Sequence, residues 1–170
     1  ARGDVQATAL RSSDYYGPGV VESALGERVF GNLVAGKRAQ VSGSADLLHS
    51  FAYIEDVGRA AAALGTNDSA LGRSWITPHA AARTQGEMVE EAARVLGTEA
   101  RVGVVSPFMM RLAGLFVPGA RASVEMMYEF TAPFVVDSTR MERAFNLSAT
   151  PILSGIERTV AWYRERREGR

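Results

Sequence analysis

The chain has 170 residues, 46% of them hydrophobic and 22% charged, with 19 basic and 19 acidic side chains giving a formal net charge of zero. That length suits a single domain able to bury a real core, and the even charge removes the electrostatic case for nucleic acid or an anionic membrane. No apolar run approaches the ~20 residues of a membrane span, no signal peptide is read, and the absence of cysteine excludes disulfides and thiolate chemistry. A cytoplasmic location is the expectation from these features. Ala1-Arg2-Gly3-Asp4 leads straight into an apolar run without an initiator Met, so the chain reads as cut from something longer.

Val5 to Leu10 is read as a short strand. Arg11 to Val20 then breaks into a polar, aromatic, Gly/Pro-rich turn (Arg-Ser-Ser-Asp-Tyr-Tyr-Gly-Pro-Gly-Val) of the kind that follows a strand's carboxyl end in a parallel sheet. Leu25, Val29, Phe30, Leu33 and Val34 have helical spacing over Glu22 to Val34, and Gly36 ends that pattern. Gln40 to Leu48 is a turn between short strands, Phe51 to Ile54 a brief apolar run, and Val57 to Leu64 an Ala-rich helix stopped by Gly65. Asp56 reads as its N-cap rather than as a catalytic carboxylate.

Arg73 to Thr77 is a strand stopped by Pro78, and His79 beyond it reads as a solvated loop histidine. Thr84-Gln85-Gly86-Glu87 has capping-box spacing and opens a helix with Met88, Ala92, Val95 and Leu96 on one face, up to Gly97. Arg101 to Val105 is a strand. Ser106-Pro107 opens a helix through Phe116, and Arg121 to Phe130 reads as another. The Met109, Met110, Phe116, Met126, Met127 and Tyr128 cluster on these helices is core by default, an apolar pocket otherwise. Pro133 to Asp137 is extended, Asp137-Ser138 caps a short helix to Phe145, and Asn146 is a left-handed stop. Thr150-Pro151 caps a last helix with Ile152, Ile156, Val160 and Tyr163 on one face.

No G-x-G-x-x-G triple occurs, and the only Lys, Lys37, has Leu33 rather than Tyr four residues before it. With no Cys and only His49 and His79, no metal site is expected. No complete catalytic apparatus can be named from this chain, and no catalytic residue is assigned.

Three blocks nevertheless carry a resemblance: Leu10-Arg11-Ser12-Ser13-Asp14-Tyr15-Tyr16-Gly17-Pro18-Gly19; Ser50-Phe51-Ala52-Tyr53-Ile54-Glu55-Asp56-Val57; and Asp137 to Arg140 followed by Phe145-Asn146, Thr150-Pro151 and Trp162-Tyr163. In this order they resemble the C-terminal half of the extended short-chain dehydrogenase/reductases, the NAD-dependent epimerase/dehydratase family. The resemblance implies an α/β fold: the C-terminal part of a Rossmann-like extended reductase, mostly helical with several short strands. Residues 1–170 would form one substrate-binding domain, with the dinucleotide-binding part, its glycine turn and its Tyr-x-x-x-Lys pair absent. It implies NAD or NADP as cofactor of the full-length enzyme, with weak or no binding by this chain alone, and a homodimeric parent.

Position by position, the resemblance assigns Ser12 and Ser13 to the nicotinamide border and Asp14 and His49 to the substrate; Tyr16, Tyr53 and Arg121 are read beside them as further substrate contacts. Asp14 stands where sugar-nucleotide enzymes often place Asn, and His49 where many place Arg for the substrate diphosphate. An ionised Asp repels a diphosphate, so a sugar or other small hydroxy or keto compound is expected, rather than a nucleotide-diphosphate sugar, unless Arg111 or Arg121 supplies the charge. The alternative is a freestanding, non-catalytic binding domain derived from that fold.

Overall fold

The computed structural model describes residues 5–106, 108–109, 112 and 126–169. Its strands are short and pair two by two: β1 (Ala9–Arg11) with β6 (Ser74–Ile76), β2 (Asp14–Tyr16) with β5 (Phe51–Tyr53), and β3 (Ala39–Ser42) with β8 (Val102–Val105), all parallel. β4 (Leu48–His49) runs antiparallel to β7 (Arg83–Thr84). On β4 the extended segment around Phe134 adds a further parallel bridge, its amide donating to Leu48 O at 2.9 Å and its carbonyl accepting from Ser50 N at 2.9 Å. Parallel pairs between strands distant in sequence need crossovers; the helices supply them, so the result is mixed α/β.

The first helical stretch runs Gly26–Gly31 in π form and continues as α1 (Asn32–Val34), later than the Glu22 start expected from spacing. Leu25, Val29, Phe30 and Leu33 are buried as the spacing requires. α2 (Ile54–Gly65) follows β5 without a loop. α3 (Gln85–Leu96) carries the full capping box. Thr84 Oγ1 accepts from Glu87 N at 3.0 Å, Glu87 Oε2 accepts from Thr84 N at 2.7 Å, and Gly97 ends the helix in the left-handed region. α4 (Thr139–Phe145) stops at Asn146 with φ 48°, and α5 (Ile152–Glu168) turns Ile156, Val160 and Tyr163 inward.

Two apolar clusters result. The larger packs α1, α3 and α5 around β2, β3 and β5, with Tyr16, Phe30, Tyr53 and Tyr163 at its centre; the smaller joins Trp75 to Leu64 and Met141. Three sequence expectations are corrected here. The expected turn contains a strand, because the backbone of Asp14–Tyr16 finds a full partner in Phe51–Tyr53. Asp56 is not an N-cap, since Tyr53 holds that place. It is buried in the first turn instead, where it accepts from Thr150 N at 2.7 Å and Thr150 Oγ1 at 2.6 Å and pairs with Arg59. It thereby ties the start of α5 to α2. The first strand is also shorter than expected, and Val5 is exposed.

The expected helix from Ser106 to Phe116 lies largely outside the described residues, although Ser106 Oγ accepts from Met109 N at 3.2 Å as a cap would. Of the Arg121 to Phe130 helix, the described end is a 3-10 turn, Met127–Phe130. Among the described residues no helix is long and apolar enough to cross a membrane.

Candidate functional site

β2 pairs Asp14 with Phe51 of β5, and His49, at the end of β4 two residues before Phe51, comes against Asp14. The ring of His49 is 2% exposed and stacks among Phe51, Phe130 and Phe134, at centroid distances of 4.7, 5.2 and 5.1 Å. Its Nε2 lies 2.7 Å from Asp14 Oδ2, but outside hydrogen-bond alignment, and neither atom has another partner among the described residues. Asp14 is the more open of the two, its side chain 23% exposed. An aromatic cage therefore holds an imidazole against the back of a carboxylate whose front faces solvent.

That front opens on a cleft of about 620 Å³ between the loop after β2, the first helix and the Met127–Phe130 turn. Carboxylates dominate its wall: Asp14, Glu22, Glu27 and Glu129 against one guanidinium, Arg28. Glu27 is partly neutralised by Arg166 at 2.8 Å. Met126, Met127 and Phe130 supply an apolar side, and Ser42 closes the floor at the end of β3. Ser42 is itself fixed by buried Gln85, whose Nε2 donates to Ser42 O at 2.7 Å and to Ser44 O at 2.8 Å. The methionine cluster is thus divided: Met127 is buried, while Met126, Met109 and Tyr128 are exposed, and Met110 and Phe116 lie outside the described residues.

The expected site residues separate into groups. Ser12 and Ser13 sit just beyond the carboxyl end of β1. Ser12 Oγ meets Thr77 Oγ1 at 2.5 Å, and Ser13 Oγ is buried with no partner among the described residues. Asp14 lines the cleft and His49 stands behind it. Tyr16 is 1% exposed, its ring 6.5 Å from Phe30 and 5.4 Å from Tyr53, so it faces the core and not the cleft. Burial, followed by the charge of Asp56, pushes its phenol far above the ordinary range. Tyr53 is equally buried, its hydroxyl unpartnered among the described residues and its pKa raised by burial. Arg121, like Arg111, lies outside the described residues. Among the described residues no group of acidic or histidine side chains is disposed to hold a metal ion.

Glu22, Glu27, Arg28, Glu129, Ser42 and Gln85 were not anticipated from sequence. The acidic residues occupy what reads as the solvated face of a helix or turn, and Gln85 sits inside a capping box, so only tertiary pairing reveals them.

No family model and no curated protein matches the sequence. Solved structures do. A UDP-glucuronic acid 4-epimerase from Bacillus cereus, in complex with UDP-glucuronic acid and NAD, superposes with a TM-score of 0.72 at 15% identity over 93% of this chain and 45% of that one. An epimerase from Methanothermobacter thermautotrophicus gives 0.75 at 15% identity, over 97% of this chain and 45% of that one. DesIV, a dTDP-glucose 4,6-dehydratase from Streptomyces venezuelae with NAD bound, gives 0.69 at 20% identity, over 94% of this chain and 44% of that one. The chain thus has the fold of one part of these Rossmann-like epimerases and dehydratases and spans less than half of their length.

Proposed function

We propose that this chain is the substrate-binding portion of an NAD(P)-dependent epimerase, dehydratase or reductase, acting on a sugar or other small hydroxy or keto compound. The observation that carries the proposal is the cleft at the end of β2, with Asp14 on its wall in the fold of those enzymes. A dinucleotide-binding part would hold the cofactor. Ser13 Oγ, buried and unpartnered among the described residues beside the Ser12–Thr77 pair, suits the edge of a nicotinamide carboxamide. When bound, that ring would supply hydride acceptance and return. Ser12 and Ser13 would border it, and Asp14, with Ser42 beside it, would orient substrate hydroxyls by accepting and donating hydrogen bonds. Tyr16 and Tyr53 would support this wall from the core.

The Bacillus cereus neighbour holds UDP-glucuronic acid, but the wall of this cleft favours a different substrate. A diphosphate would face four carboxylates and one guanidinium among the described residues, and like charges brought together without compensation lose affinity. A neutral polyol or a cationic sugar meets no such cost.

The test is calorimetric, with NAD and UDP-glucose titrated into the full-length protein, into its Asp14→Asn and Glu129→Gln variants, and into the 170-residue chain. NAD should bind the full-length protein and bind the short chain weakly or not at all. UDP-glucose should bind the wild type poorly and both variants better. Tight NAD binding by the short chain would overturn the division of labour, and tight UDP-glucose binding by the wild type would overturn the substrate class.

A further inference from the structure

His79 sits in the loop after β6, and both of its ring nitrogens meet backbone carbonyls: Nδ1 lies 2.8 Å from Ala80 O and Nε2 lies 2.9 Å from Val136 O. A carbonyl oxygen only accepts. A neutral imidazole carries one N–H, so in that state one nitrogen turns a bare lone pair on an oxygen lone pair; with two ring protons both contacts become hydrogen bonds. Sequence reading makes His79 a solvated loop residue; the structure makes it a bridge across 57 positions of the chain.

What it bridges matters to the cleft. Val136 closes the extended segment that runs alongside β4, with Val136 N donating to Ser50 Oγ at 3.2 Å and Phe134 bonded on both sides to Leu48 and Ser50. Phe134, on that segment, and Phe130, just before it, form two walls of the cage around His49, and Met126, Met127 and Phe130 line the cleft itself. We propose that His79 is a protonation-gated latch, a positioning residue that fixes the cleft-bearing segment to the sheet through two bonds when its ring holds two protons and through one when it holds one.

The charge environment of the ring is sparse. Pro78 to Ala82 and β6 carry no other titratable side chain, and neither does the segment from Ala132 to Val136. Asp137, the next residue, is the acidic group that feels the ring. The Thr139 hydroxyl and amide hold its carboxyl below the ordinary range, with smaller contributions from Arg143 and from His79. On the neighbouring strands, Arg11 at the end of β1 is exposed, and His49 on β4 is turned toward Asp14. The sign follows from the bond count: the latch is tighter with two ring protons and looser with one.

Hydrogen–deuterium exchange of the full-length protein, read on the peptide covering residues 126–137, tests this. The ratio of exchange rates, His79→Phe over wild type, cancels the intrinsic pH dependence of exchange. It should be about tenfold larger at pH about 5.5 than at pH about 8, the worth of one charge-assisted bond. His79→Gln, which cannot titrate, should exchange at a rate whose ratio to His79→Phe is the same at both pH values. A His79→Phe to wild-type ratio that is equal at the two pH values, or larger at the alkaline one, overturns the latch. Should the Phe variant fail to fold, the Gln to wild-type ratio decides by the same criterion. None of these readouts needs substrate or cofactor, so the result bears on the latch and leaves the proposed activity to its own test.

Discussion

Replacing Gly155 by Ala asks whether Tyr16 is a packing residue. Gly155 lies in the first turn of α5 and is buried there. A methyl built on it would lie 2.5 Å from Tyr16 Oη, 2.9 Å from Cε2 and 3.0 Å from Cζ. Alanine in place of helical glycine is normally worth about 0.5–1 kcal/mol in favour of the folded state. Overpacking a close-packed core costs about 1–3 kcal/mol, and Tyr16 has little room to retreat, because Phe30 and Tyr53 hold its ring. The net expectation is a destabilisation of about 1–2 kcal/mol, read as a lower urea midpoint at unchanged slope. Tyr16→Phe removes the atom nearest the new methyl and leaves the contacts at 2.9 and 3.0 Å. Gly155→Ala should then cost about 1 kcal/mol less in that background, a coupling of the size expected for touching residues. Since burial keeps the Tyr16 phenol neutral, Tyr16→Phe should leave ligand affinity unchanged. An alanine variant more stable than the wild type, or a Phe variant that loses binding, would refute the packing role.

Asp56→Ala should cost about 2–4 kcal/mol in urea unfolding, because a buried carboxylate that serves Thr150 and Arg59 is lost and its partners are stranded. Thr150→Val, which removes the hydroxyl's bonds to Asp56 and Arg59 and keeps the bond from the Thr150 amide, should cost about 1 kcal/mol in the same assay. Glu87 is held below the ordinary range first by the Thr84 amide. Its contribution is therefore present above the unfolded carboxyl's titration and lost as pH falls through the lower folded one. Glu87→Gln should flatten that acid-side loss in thermal melts, and Thr84→Ala should cost about 1 kcal/mol at neutral pH. Gly43, at φ 70°, has no room for a methyl beside the Phe130 backbone. Gly43→Ala should cost about 2 kcal/mol or more by urea midpoint and displace the Met127–Phe130 turn.

What could be read from sequence was what repeats locally. The spacing of Leu25, Val29, Phe30 and Leu33 and the Thr84–Glu87 box depend on residues a helical turn apart, the Asn146 stop on one residue that tolerates the left-handed region, and the structure has them all. These parts of the helices were legible for that reason. The strand at Asp14–Tyr16 was not, because Gly17-Pro18-Gly19 beside it signals a turn and the pairing that stabilises it comes from Phe51–Tyr53. Asp56 shows the same limit from the other side: its position in the first turn suggests a cap, but its partner Thr150 lies 94 residues away. The candidate site is built almost wholly from such long-range meetings. Glu22, Glu27 and Glu129 look like ordinary surface acids until the chain folds them around one cleft.

The same meetings explain why two residues aligned with one task take different places. Asp14 and His49 stand where the resemblance implies two groups that engage a diphosphate. Here the imidazole sits in a cage of Phe51, Phe130 and Phe134, where stacking and apolar burial hold the ring. That leaves the carboxylate as the only member of the pair on the cleft wall. Placing an outward cation there would require emptying the cage as well as changing one side chain. His49→Arg alone would place a longer, charged group among three phenyl rings and should destabilise the fold before it could bind an anion. The acidic face of the cleft is thus set by packing as much as by sequence, because the aromatic cage determines which of the two side chains a ligand meets.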